Sequence, residues 1–170
     1  MSYLVISTSL SPNSKSAILS KAAYEMLAEH EECEWVDLRD YELPHCDGDK
    51  AYGHPNVEIL RKKIEQASCI LMGVAIYNYD CGSSAKNLIE LTGKAWEDKT
   101  VGFLCAAGGK SSYMAIMSLA NSLMLDFRTL IIPRFVYADG SAFAPHHIVD
   151  TEIIRRISLL VDAAKKLCRP

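Results

Sequence analysis

Six hydroxyl side chains crowd into ten consecutive residues near the start of the chain: Ser7-Thr8-Ser9-Leu10-Ser11-Pro12-Asn13-Ser14-Lys15-Ser16. The run follows a short apolar stretch and leads into a helical pattern. Hydroxyls and open backbone N–H groups at a helix N-terminus are chemistry for an anion. A phosphate would be met by Ser9, Ser11, Ser14 and Ser16 and by the first amides of the helix. The loop is neither a GxxxxGK[ST] loop nor a GxGxxG turn. The plainer alternative is a polar turn with a helix cap.

Two further loops carry usable chemistry. Residues 75–87 include Ala75, Ile76, Tyr77, Asn78 and Tyr79. Two tyrosines, an asparagine and backbone polar groups at a strand end suit the edge and face of a flat polar ring. The alternative is a surface loop whose tyrosines cover the sheet edge. Residues 106–113 contain Ala107, Gly108 and Gly109, followed by Lys110. A glycine pair lets a ligand approach the backbone closely, although a simple βα turn favours glycine too.

The elements that must position these loops are legible as a pattern. Apolar runs at 3–7, 34–37, 69–75, 100–105 and 129–132 read as strands, four of them without clean alternation. That is the signature of a parallel sheet covered on both faces. Helical spacing fills 14–31, 56–67, 84–92, 112–125 and 151–168; in the last of these Ile154, Ile157, Leu160, Val161 and Ala164 form the expected core face, with Thr151 as cap. Strict β-α alternation with five strands predicts a three-layer α/β flavodoxin-like fold, strand order 2-1-3-4-5, helices on both faces. Residues 1–170 are read as one domain. In such a sheet a ligand lies beyond the carboxyl ends of the strands, where the three loops above converge. Two long irregular stretches, 38–55 and 133–150, are left as loops of lid or interface type.

Composition narrows the function. With 170 residues, 49% apolar and 23% charged, the chain is long enough for a core without staples. A net charge of −3 and a pI near 5.9 provide no basic field for nucleic acid. No apolar run approaches the roughly 20 residues of a membrane span, and the N-terminus lacks the charged flank of a leader. The expectation is a cytoplasmic protein. Six cysteines at irregular spacing, with no CxxC pair, argue against zinc or a redox dithiol; Cys69 and Cys105 sit in apolar runs and read as core thiols. Among five histidines only His146 and His147 are adjacent, and adjacent side chains diverge, so no metal site is expected. No Ser–His–acid set is supported, and no catalytic side chain is named.

Together the three loops resemble those of the NADPH-dependent FMN reductase family of flavodoxin-like proteins, which includes azoreductase-like and quinone-reductase-like members. The first is similar to the family's G-S-x-R-x-x-S-x-S phosphate loop, with Thr8, Ser9, Ser11, Ser14 and Ser16 at matching places. The second is similar to T-P-x-Y-N…LKN, matched by Val74 to Asn78 and then Ala85, Lys86 and Asn87. The third is similar to S-x-G-G, matched by Ala107, Gly108 and Gly109. The resemblance implies FMN with its phosphate on Ser9, Ser11, Ser14 and Ser16. The ring would lie against Ala75, Ile76, Tyr77 and Asn78, with Ala107, Gly108 and Gly109 at its other edge. It implies NADPH as hydride donor, a small-molecule electron acceptor (free flavin, a quinone or an azo-type compound) and a homodimer or homotetramer. Three positions depart from the motifs: Thr8 replaces glycine, Ala75 replaces proline and Ser11 replaces arginine. The last removes a charge-assisted contact to phosphate. The competing readings are a flavodoxin-like electron carrier, which the modest charge disfavours, and a divergent α/β binding module.

Overall fold

A computed structural model describes residues 2–168. Strands β1 (Tyr3–Ser7), β2 (Cys33–Asp37), β3 (Cys69–Tyr77) and β5 (Thr100–Ala106) run parallel. The order across the sheet is β2-β1-β3-β5, then β6 (Leu130–Ile131). This is the expected 2-1-3-4-5 succession, with two additions. β3 runs past Ala75 and folds back as an antiparallel hairpin onto β4 (Asp80–Cys81). The edge expected from 129–132 is split: β6 pairs with Thr100 and Val101, and β7 (Val136–Ala138) takes over beside Leu104 to Ala106. Pro133 interrupts the run. Proline has no N–H for the ladder and is confined to edges and breaks of this kind.

Alternation along β1 sorts the two layers. Tyr3 and Val5 face α1 (Lys15–Ala28) and α5 (Thr151–Leu167), whereas Leu4 and Ile6 face α2 (Pro55–Gln66), α3 (Ser83–Thr92) and α4 (Met117–Phe127). α1 starts where a cap was legible: Ser14 Oγ accepts from Ala17 N–H at 3.0 Å. α4 begins five residues later than expected. Residues 112–116 form turns, and Ile116 at the helix start offers no side-chain acceptor. On α5 the cap is Asp150 rather than Thr151, with Glu152 N–H donating to its carboxylate at 2.8 Å. The buried stripe runs Ile153, Ile157, Leu160, Val161 and Ala164, while Ile154 is 39% exposed. That stripe keeps the i, i+4, i+7 spacing of one helix face, and Ile154 lies off it. The last short pieces are β8 (Phe143–Ala144) and β9 (His147–Ile148), an antiparallel hairpin within the long 133–150 stretch.

One glycine sets how closely α1 lies on the sheet. A Cβ on Gly73 of β3 would come 1.8 Å from Ser20 Oγ and 2.9 Å from the Ser16 carbonyl. Only a residue without Cβ permits this approach. It holds the first turns of α1, and so the serine loop, against the centre of the sheet.

Candidate active site

The carboxyl ends of β1, β3 and β5 open into a cleft of about 260 Å³. Its wall contains Ser9, Ser11, Ser14 and Ser16 from the first loop, Ala75, Ile76 and Tyr77 from the second, and Ala107 and Gly108 from the third. Asn13, Lys15 and Ala106 complete it. Asn78 and Gly109 are not in the wall. Asn78 and Tyr79 have φ of 51° and 63° and form the two-residue turn joining β3 to β4, the conformation that the twist of a tight hairpin favours. Gly109 is exposed, and its carbonyl accepts from the Tyr137 hydroxyl.

In the serine loop the Ser9, Ser11 and Ser14 oxygens each accept a bond from the backbone, which leaves hydroxyl donors free. Ser11 N–H donates to Ser9 Oγ at 3.3 Å, and Asn13 N–H donates to Ser11 Oγ at 3.4 Å. Ser14 Oγ, already accepting from Ala17, shares one hydrogen with Ser16 Oγ at 3.0 Å. A serine that accepts through its oxygen keeps its O–H to give. The Ser9 and Ser11 hydroxyls, and one of the Ser14–Ser16 pair, are therefore available donors. No acceptor among the described residues meets the N–H groups of Lys15 and Ser16. These are among the N–H groups that an α-helix cannot satisfy internally. Phosphate oxygens only accept, so the donor set fits the phosphate of a nucleotide such as FMN. Thr8 is not part of this set: its hydroxyl donates to the Gly73 carbonyl at 2.7 Å and ties the loop to β3.

The far end suits a ring. Tyr77 in the wall is 57% exposed, and a Cβ on Gly108 would meet no protein atom within 4 Å. Lys15 spans the cleft mouth, with Nζ 5.6 Å from the Phe143 ring centroid and near Gly140. Nearby, hydrogen bonds from Ser141 hold the Asp139 carboxyl below its ordinary value, helped by Lys110 and Lys15. Lys15 was not singled out in the sequence, because a lysine at the first position of a helix reads as a solvated charge.

Cys81, Cys69 and Cys105 offer no thiolate nucleophile to the cleft. Burial, with the Asp80 charge, pushes the Cys81 thiol up to about 11, so it is protonated at neutral pH. Cys69 and Cys105 are buried, and burial lifts Cys105 well above its ordinary value. Among the described residues no group of three His, Cys, Asp or Glu side chains could hold a metal. Asn87 has a structural role: its side chain accepts from Cys46 N–H at 2.8 Å and donates to the Pro44 carbonyl at 2.9 Å, pinning the 38–55 stretch.

Known proteins with related sequences and structures carry oxidoreductase names. The chain is 34% identical over 79 residues to a probable NADPH:quinone oxidoreductase 1 of Oryza sativa subsp. japonica, which is 44% of this chain and 40% of that protein. It is 36% identical over 84 residues to an NAD(P)H:quinone oxidoreductase of Solanum tuberosum, covering 46% and 42%. The matched segments thus span about two fifths of the length of these curated relatives. In structure it resembles the flavoenzyme NAD(P)H:(acceptor) oxidoreductase FerB from Paracoccus denitrificans, with a TM-score of 0.74, 22% identity and 97% of each chain covered. The match that decides the family runs over residues 1–144 and takes in all three loops of the cleft, and on it the chain belongs to the NADPH-dependent FMN reductase family.

Proposed function

We propose that the chain is an FMN-dependent NAD(P)H oxidoreductase that delivers electrons to a small acceptor such as free flavin, a quinone or an azo-type compound. The observation that carries this reading is the cluster of free hydroxyl and N–H donors in the serine loop, at the head of a cleft that Tyr77 and Gly108 line farther on. Ser9, Ser11 and the N–H groups of Lys15 and Ser16 hold the phosphate. Ile76 and Tyr77 support the ring, and Gly108 leaves room for its other edge. Bound FMN supplies hydride acceptance and electron transfer, chemistry that belongs to the cofactor. The chain's part is to fix the ring's position and surround it with backbone dipoles; no side chain has to move a proton.

Substitution at the loop tests the site. Ser11→Glu, at a half-buried position that tolerates a longer side chain, puts a carboxylate against the phosphate and should abolish FMN retention while the far-ultraviolet circular dichroism stays native. Retained affinity would remove the phosphate assignment.

Two coarser features accompany this reading. Tyr113, Met114, Met117, Met124 and Leu125 are all exposed on and before α4, an apolar overhang that suits a homodimer or homotetramer. α3 contributes no such surface, because its outer face carries the Lys86–Glu90 ion pair at 2.8 Å. A monomeric mass in sedimentation equilibrium would refute assembly. Six cysteines, none in a disulfide, suit the reducing cytoplasm, and no helix among the described residues is long and apolar enough to cross a membrane.

A further inference from the structure

A second cavity, of about 580 Å³, runs beside α1 and shares only Asn13 and Ser14 with the serine-loop cleft. It gathers three features that the flavin reading leaves unused. Ile154 of α5, apolar yet exposed off the core stripe, is in its wall. The β8–β9 hairpin of the long 133–150 stretch contributes Ile148. The edge strand β2 contributes Trp35, half-buried. On the helix itself Ala17 and Ala22 are short, so a flat body can lie close to it. From Ala17 to Glu25 α1 rises about 12 Å, the length of a small organic molecule. The volume also falls in the range of small-molecule sites, about 300–1,000 Å³. The charged groups in the wall are unequally used. Asp37 and Arg39 satisfy one another, with Nε donating to the buried carboxylate at 2.9 Å. Lys21 lies on rings rather than on a carboxylate. Its Nζ is 4.4 Å from the Tyr24 centroid and 5.1 Å from that of Trp35, and it forms no ion pair among the described residues. Glu25 stands four residues on, but lysine before glutamate is the weaker order for a helix pair. An ammonium held by ring faces, without a counter-ion, offers its charge to an anion in the cavity.

We infer that this cavity is a second ligand site, built for a small aromatic carboxylate whose anion rests on Lys21 and whose ring lies against Trp35, Ile148 and Ile154. The apolar wall takes a flat hydrocarbon body out of water. The ammonium sets the sign of the charge that the body can carry. A neutral analogue keeps the first contribution and loses the second, and a cationic one meets repulsion. The inference stands apart from the flavin reading and holds or fails without it.

The probe is 2-naphthoate, titrated by isothermal calorimetry into the protein with and without saturating FMN. One site of equal affinity in both conditions is expected, with 2-naphthamide, the same rings without the charge, about tenfold weaker, the size of one charge-assisted contact. Lys21→Glu reverses the charge at an exposed position, and Ile154→Glu places a carboxylate in the apolar wall. Each should weaken 2-naphthoate about tenfold or more while circular dichroism stays native. Ser11→Glu, which closes the flavin cleft, should leave the naphthoate affinity as it was. Absence of binding at millimolar 2-naphthoate would overturn the inference. Loss of binding in the presence of FMN or in Ser11→Glu would put the probe in the flavin cleft and overturn it too. So would equal affinities for naphthoate and naphthamide, or an affinity that neither Lys21→Glu nor Ile154→Glu changes. If the protein retains no FMN, the flavin reading fails, and the titration without FMN still decides whether this second site exists.

Discussion

Gly73→Ala should damage the fold and the site through one displacement. The new methyl would sit 1.8 Å from Ser20 Oγ and 2.9 Å from the Ser16 carbonyl. Ser20 can turn away only by giving up its hydrogen bond to that same carbonyl, made at 2.8 Å, which costs about 1 kcal/mol. The Ser16 carbonyl belongs to the helix backbone and can retreat only if α1 lifts. Overpacking of this kind costs about 1–3 kcal/mol. The sum is about 3 kcal/mol, or about 6–12 °C in Tm at the roughly 2–4 °C per kcal/mol of a chain this size. Lifting α1 also moves the N–H groups of Lys15 and Ser16, so FMN affinity should fall in the same variant. Ser20→Ala in the Gly73→Ala background removes the first collision and should recover part of the loss, a coupling that the two single variants together with the double variant isolate. Urea unfolding followed by circular dichroism gives the stabilities. A Gly73→Ala protein within about 0.5 kcal/mol of the original, with unaltered FMN affinity, would refute the close-packing argument.

Three smaller effects follow from single buried groups. Trp96 is fully buried and donates through Nε1 to Thr92 Oγ1 at 2.7 Å; Thr92→Val should cost about 1–3 kcal/mol by stranding that donor, and Thr92→Ser clearly less, in the same urea assay. Ser7 Oγ is buried with no partner among the described residues, so Ser7→Ala should stabilise the fold by up to about 1 kcal/mol, read as a higher urea midpoint with an unchanged m-value. Burial pushes the Asp37 carboxyl up, but the hydrogen bonds and charge of Arg39 outweigh it and hold the group below its ordinary value. A depressed native value means that Asp37 stabilises the fold fully above its unfolded value of about 3.9 and loses that contribution as pH falls through the native one. Asp37→Asn should therefore flatten the acid limb of the stability profile below about pH 5, and superimposable limbs would contradict the pairing.

How much of this was legible in the sequence depends on which interactions decide each feature. β1, β3 and β5 are apolar on both faces and stood out because only a covered parallel sheet uses such runs. The three loops stood out because hydroxyls, aromatics and glycines cluster at strand ends, and the fold brings them to one cleft. Asn78 did not reach the cleft because hairpin geometry, not motif position, aims it; Asn-Tyr is not a pair that announces a tight turn. Ile153 and Ile154 are both apolar, and only docking against the sheet chooses between them. Asp150 and Thr151 could each cap a helix, and the start of α5 settled on the first. Lys15 was invisible as a site residue because it owes its place to a partner distant in sequence. That partner is Phe143.

The central claim is that the cleft holds FMN and lets a nicotinamide nucleotide reduce it. The direct measurement is the visible spectrum of protein loaded with FMN, freed of excess, and mixed with NADPH without oxygen. The account predicts retained yellow flavin that bleaches rapidly. Flavin that stays bound and oxidised, or flavin that is not retained and shows no binding in a titration, would contradict it.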